Sequence, residues 1–322
     1  MRILITSAPF HPSLGGIETA TNLQASGLIE RGYDVTVVTP TPGDCGGYPY
    51  KVVRNAKPVA FLRLVRDSDL MWQSHVSLRL LWCAALACSP VTSLSAAYLR
   101  DAAKSPGPVI PNSYDERTFR ALPDVPRDRD VVYLGRLKAF KGPDLVVDAL
   151  ARLAAANKRL SATMIGMGPQ VDELKEQAAR AGIAAQVKFP GPLQGDALVR
   201  AINRHRIMVV PSRWEEPFGL VALEGMARGG GVANSGGLPE VAGPCGPVVP
   251  KDDPAALAAK LDRLVSHPEI VAQYRQAVPQ HLAKFRTTPL LDACKAAIRE
   301  AIANSRYAPA SRQVTNPSLQ RH

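Results

Sequence analysis

Glu216 and Glu224 are carboxylates set in a largely apolar stretch, PSRWEEPFGLVALEGMARGGG, at residues 211–231. Each carboxylate accepts hydrogen bonds from two hydroxyls at once, so a pair can hold a polyol. The pattern predicts a helix over residues 218–227, with Glu216 just before it and Glu224 inside it. At 100° per residue, the two positions would lie about 80° apart and face one side of a cleft. The amides of Phe218, Gly219 and Leu220 would open that helix, where free N–H groups and the helix dipole favour an anion. This arrangement suits a molecule with hydroxyl clusters at both ends and an anion in the middle: the ribose, diphosphate and hexose of a nucleotide sugar. The plainer reading makes Glu216 a helix-entry acid and Glu224 a surface residue.

Three more loops carry unusual residues. In SAPFHPSLGG, Gly15 and Gly16 precede a helix and would let a ligand approach the backbone closely; a plain turn explains them too. In LGRLKAFKG, Arg136, Lys138 and Lys141 stand beside Gly135 and Gly142, a set that matches a diphosphate or else solvated charge. In IGMGP, Gly166 and Gly168 mainly mark a tight turn at a strand end.

The elements that must position these loops alternate. Short β-branched runs at 3–6, 35–39 and about 69–73 bracket a helical pattern at 16–31. A helix is expected at 77–88. The second half repeats the rhythm, with strands at 130–134, 161–165, 186–189, 207–210 and 231–233. Helices are expected at 143–157, 169–181, 196–203, 254–266 and 289–303. Strand–helix–strand at this spacing makes parallel sheets, so the expected fold class is α/β with two Rossmann-like domains facing across a cleft. The expected divisions are an acceptor-side domain at 1–115, a nucleotide-sugar domain at 116–285, a returning helix at 286–306 and a disordered tail at 307–322. Hinges are expected in the Pro-rich segment 105–126 and near Phe285.

Composition narrows the classes. With 46% hydrophobic and 21% charged residues, the 322-residue chain is that of a globular protein large enough for two domains. The longest apolar run, at 80–89, is too short for a membrane span. No secretory leader pattern opens the chain, and five cysteines without a C-x2-C pair argue against disulfide or zinc frameworks. A reduced, cytoplasmic compartment is the expectation. The net charge of +11 is uneven: +2 over residues 1–115 and +9 beyond, with +5 over residues 284–322. A solvated basic tail explains this most simply, and weak contact with an anionic membrane face is the next reading. Aromatic residues at 6% and the lack of any recognition motif argue against nucleic acid.

The motifs come in a familiar order: Gly15–Gly16, IPN-x-x-D at 110–115, GR-x4-KG at 135–142, PS-x3-EPFGL-x3-E at 211–224 and GGLPE at 236–240. In these the chain resembles the retaining glycosyltransferases of family 4, which have the GT-B fold. The resemblance covers nearly the whole chain and is best in the C-terminal half. It implies a nucleotide-diphosphate sugar, UDP- or GDP-linked, as donor and a hydroxyl acceptor on a glycan, lipid-linked precursor or small metabolite, with no other cofactor and no metal. Arg136 and Lys141 would grip the diphosphate, Glu224 the ribose and Glu216 the transferred sugar. Phe218, Gly219 and Leu220 would hold sugar and phosphate through their backbone, with Gly15, Gly16, Gly135 and Gly166 lining the donor. Leu193 would lie by the base. One family strand and helix is absent after residue 89, which implies a reduced N-terminal domain. His75 would stand in for a histidine near the sugar, and His11 is a further acceptor-side candidate. A phosphorylase on the same fold, or a donor-binding protein without turnover, are the alternatives.

Overall fold

The computed structural model describes residues 1–13, 15–74, 110–227, 232–233 and 237–303. His75, the helix expected at 77–88, the stretch that bears on a reduced N-terminal domain, and the tail from 307 lie outside these residues.

Two parallel sheets carry the chain. The first has four strands in the order β3-β2-β1-β4: β1 (Arg2–Thr6), β2 (Asp34–Thr39), β3 (Lys51–Arg54) and β4 (Leu70–Gln73). Helix α1 (Gly16–Glu30) joins β1 to β2, and α2 (Pro58–Asp67) joins β3 to β4. Ile3 and Ile5 of β1, Val35 and Val37 of β2 and Leu28 of α1 form one core face. The sequence reading assigned no element to residues 51–67. They form β3 and α2, so the strand read at 69–73 is the fourth of its sheet and not the third. The run KVVR is only four residues long and follows a Pro/Gly-rich loop, so it carries little period-2 signal.

The second sheet has the order β7-β6-β5-β8-β9: β5 (Arg129–Leu134), β6 (Ala162–Ile165), β7 (Val187–Gly191), β8 (His205–Val210) and β9 (Val232–Ala233). Its helices are α3 (Pro143–Ala155), α4 (Val171–Arg180), α5 (Gly195–Asn203), α6 (Leu220–Met226), α7 (Leu238–Ala242), α8 (Pro254–Ser266) and α9 (Pro268–Ala283). Sequence rules explain the entries: Pro143 opens α3 after a left-handed Gly142, and Asp253 caps α8 by accepting from the Ala256 N–H at 2.8 Å. Val131, Tyr133, Val147, Leu150 and Met164 fill one face, and Val132, Ile165, Met208 and Leu223 fill the other.

The last helix, α10 (Thr287–Ala303), packs on the first sheet: Leu291 and Ile298 join the core of Ile3, Leu28 and Val35. Arg31 of α1 pairs with Asp292 at 2.8 Å. The two crossings between the sheets run side by side, because the Tyr114 N–H donates to the Phe285 carbonyl at 3.2 Å and the Thr287 hydroxyl to Glu116 at 2.8 Å.

Candidate functional site

The loops after β5 and β8 leave neighbouring parallel strands at the same end of the sheet, the place where open α/β sheets bind ligands. They are locked together. The N–H groups of Arg213 and Trp214 both donate to the Phe140 carbonyl, at 2.9 and 3.0 Å. Gly142 has φ of 65°, and a Cβ there would run into the Pro211 carbonyl. Arg213 completes the join with a bidentate pair to Asp144 at 2.6 and 2.7 Å, contacts to the Ala139 carbonyl at 2.9 Å and a further pair with Asp252.

On this frame Lys141 pairs with Glu216, whose Oε1 also accepts from the Ser212 hydroxyl at 2.8 Å. Glu216 is only 8% exposed, so its charge is expensive unless paired. Arg136 is exposed, and its guanidinium lies 5.5 Å from the centre of the Phe140 ring, with the Lys141 ammonium 5.7 Å from the same ring. Phe140 thus spaces the two cations. The Tyr133 hydroxyl donates to the Arg136 carbonyl at 2.9 Å and fixes the turn from below. Burial and the Glu216 and Asp144 charges hold the Tyr133 phenol far above its ordinary pKa, so it stays a neutral donor.

Helix α6 begins at Leu220, two residues later than expected. Gly219 at its N-cap has φ of 89°, a left-handed conformation that ends any helical continuation back to Glu216. The same-face arithmetic for Glu216 and Glu224 therefore does not apply; Glu216 is placed by its loop and by Lys141 and Ser212. Phe218 is buried and meets Phe285 edge-on at 5.6 Å, so its side chain is core and only its backbone is left to a ligand. Glu224 is half-buried on α6. Burial first, and the Asp115 carboxylate second, push its carboxyl up to about 7.

The glycines divide by role. Gly15 and Gly16 are exposed at the start of α1, and Gly16 lies against the Leu220 side chain at the start of α6. Gly166 and Gly168 pack on backbone: a Cβ on either would strike the Gly135 or Leu137 carbonyl. They buttress the loop that holds Arg136. Leu193 is half-buried against the cluster containing Phe218 and Leu220. The His11 ring stacks on Phe10 at 5.3 Å. The sequence reading missed Ser212, Arg213, Asp144 and Tyr133. A basic residue beside PS and an acid three residues after Lys141 were the available signals.

A model of the family described as glycosyl transferases group 1 matches residues 115–281. The chain belongs to this family. Among relatives, a D-inositol 3-phosphate glycosyltransferase from Catenulispora acidiphila is 34% identical over 210 residues, 61% of this chain and 50% of that one. A glycogen synthase from Mycobacterium tuberculosis is 31% identical over 225 residues, 68% of this chain and 51% of the relative. The chain thus spans about half the length of the curated relatives it matches. Among solved structures, sucrose-phosphate synthase from Thermosynechococcus elongatus superposes with a TM-score of 0.77 at 20% identity, covering 94% of this chain and 100% of the other. HepE from Anabaena, solved with UDP, gives 0.75 at 19%, covering 93% and 100%. At these identities the likeness is one of fold: the GT-B arrangement of two Rossmann-like regions. Among the described residues no helix is long and apolar enough to cross a membrane.

Proposed function

We propose that this glycosyl transferase moves a sugar from a nucleotide-diphosphate sugar to a hydroxyl acceptor with retention, as the enzymes of family 4 do, and without a metal. The observation that carries the reading is the Lys141–Glu216–Ser212 cluster with exposed Arg136 beside it, on two loops tied together at the C-terminal ends of β5 and β8. Lys141 and Arg136 would neutralise the charge that grows on the departing diphosphate, a task for preorganised cations. Glu216 would face the transferred sugar and Glu224 the ribose diol, while Gly15, Gly16 and the backbone at 218–220 would let the donor approach. Leu193 would border the base, on the β7 side of the sheet. The acceptor would enter from the N-terminal region, and the compartment we assign is the cytoplasm, with contact to an anionic membrane face left to the basic residues.

The named activities of the relatives involve sugar transfer, and the UDP and UDP-glucose bound by HepE make uridine nucleotides the first donor to try. Calorimetry with UDP and GDP tests the site. Arg136→Ala and Glu224→Ala should each weaken the better nucleotide at least tenfold, the effect of losing about 1.4 kcal/mol. Unchanged affinity in both variants would refute the assignment. Tight binding of the nucleotide sugar with neither hydrolysis nor transfer would favour the donor-binding protein instead.

A further inference from the structure

Met167 is 59% exposed, on the short loop that leaves β6, and this loop is pinned on both sides. The Met167 carbonyl accepts from the N–H of Leu137, the residue after Arg136, at 2.9 Å. The Gly166 N–H donates at 3.0 Å to the carbonyl of Gly191, which ends β7 just before the turn to Leu193. Gly168 lies so close to the Leu137 carbonyl that a Cβ would strike it, and the Gln170 N–H donates to that same carbonyl at 3.2 Å. A lone apolar side chain facing water is ordinary. Here the backbone beneath it is held from both flanks, so the chain has a fixed root and a free end. That root stands between Arg136, given above to the diphosphate, and the turn to Leu193, given to the base. Leu193 in turn packs on the cluster that holds Leu223, next to Glu224, so the residues given to the base and the ribose stay together.

We propose that the Met167 side chain lies against the flat face of the nucleobase in the bound donor. A thioether and its methyl group are polarisable and pack well on an aromatic ring. The three rotatable bonds of methionine let the chain follow the base as the donor settles, which suits a loop whose backbone is tied down. Met167 is then a binding residue for the nucleoside half of the donor, and the transferred sugar lies beyond its reach. The proposal rests on the donor-site reading above and deepens it.

Methyl-labelled methionine makes the test possible on the wild-type protein. The chain has six methionines, and the signal lost in Met167→Leu identifies the methyl of Met167. The probe is UDP or GDP, whichever wild type binds better, together with its glucose ester and inorganic pyrophosphate. Saturating nucleotide should move the Met167 methyl signal upfield, as the ring current over the face of a base requires, and pyrophosphate should not. By calorimetry, Met167→Ala should weaken the nucleotide and its glucose ester alike, at least threefold, and Met167→Leu should restore most of the loss. A methyl signal that the nucleotide does not move upfield, or that pyrophosphate moves equally, overturns the assignment. So does equal nucleotide affinity in wild type and Met167→Ala. A loss confined to the glucose ester would put the side chain on the sugar and overturn it too. Failure of wild type to bind UDP or GDP would instead strike the donor-site reading, which the assignment does not survive.

Discussion

Gly16, the first residue of α1, touches Leu220, the first residue of α6: a Cβ built on Gly16 would lie 3.4 Å from Leu220 Cδ1. The two helices belong to different sheets, so this point is where the N-terminal loop comes down on the candidate donor site. A methyl group fits there at ordinary contact distance, and a larger side chain does not.

Gly16→Ala should therefore leave the melting temperature within a degree or two. Gly16→Leu should push α1 away from α6 and weaken nucleotide-sugar binding at least tenfold. Calorimetry beside a thermal melt checks both. Equal binding by wild type and Gly16→Leu would mean that the contact does not shape the site.

Glu224 predicts a pH dependence of stability. The folded protein holds this proton up to about 7, whereas the free carboxyl releases it near 4.5. Over that window the folded state binds more protons than the unfolded one. Stability from this group is thus greatest below 4.5 and is lost as pH rises towards 7. The loss is of order 1–3 kcal/mol. Glu224→Gln should remove it, so the variant should be more stable than wild type at pH 8, and the gap should close by pH 4.5. Urea melts of the ligand-free protein across that range provide the measurement. A gap that is flat or widens towards acid would contradict the placement of this carboxyl.

Arg213 holds the two candidate-site loops together through Asp144, Asp252 and the Ala139 carbonyl. Its removal leaves Asp144 without its bidentate partner, at a cost of about 1.5–3 kcal/mol. We expect Arg213→Ala to raise the donor KM and lower kcat while the fold survives. Arg213→Lys should recover only part, because an ammonium cannot make the forked contact. Steady-state kinetics beside a melt would show it. A pure stability loss with unchanged kinetics would reduce Arg213 to an ordinary surface pair.

Gly219→Ala should destabilise by about 1–2 kcal/mol from the left-handed backbone alone, and by more because the new methyl would collide with Leu238. Chemical denaturation measures this. A neutral result would show that α6 can begin elsewhere.

The second sheet was legible because its strands are short β-branched runs separated by strongly amphipathic helices, as at Val131–Leu134 and Leu145–Leu153. Helix α9 was not: Pro268 opens it and Pro279 lies inside it, so the sequence reads as broken. The loops were found by residue type. Which partners they take was hidden. Arg213 and Asp144 are 69 residues apart, and only the parallel register of β5 and β8 brings them together. The single αL glycine at 219 was enough to undo an angular argument that assumed unbroken helix.

The return of α10 to the first sheet affects how the chain is made. Leu291 and Ile298 cover the face built by Ile3, Leu28 and Val35, yet they leave the ribosome some 260 residues after α1. At about 5–20 residues per second, the opening sheet waits roughly 10–50 s with that greasy surface bare. All the residues of the second sheet are thus synthesised before the first sheet is sealed.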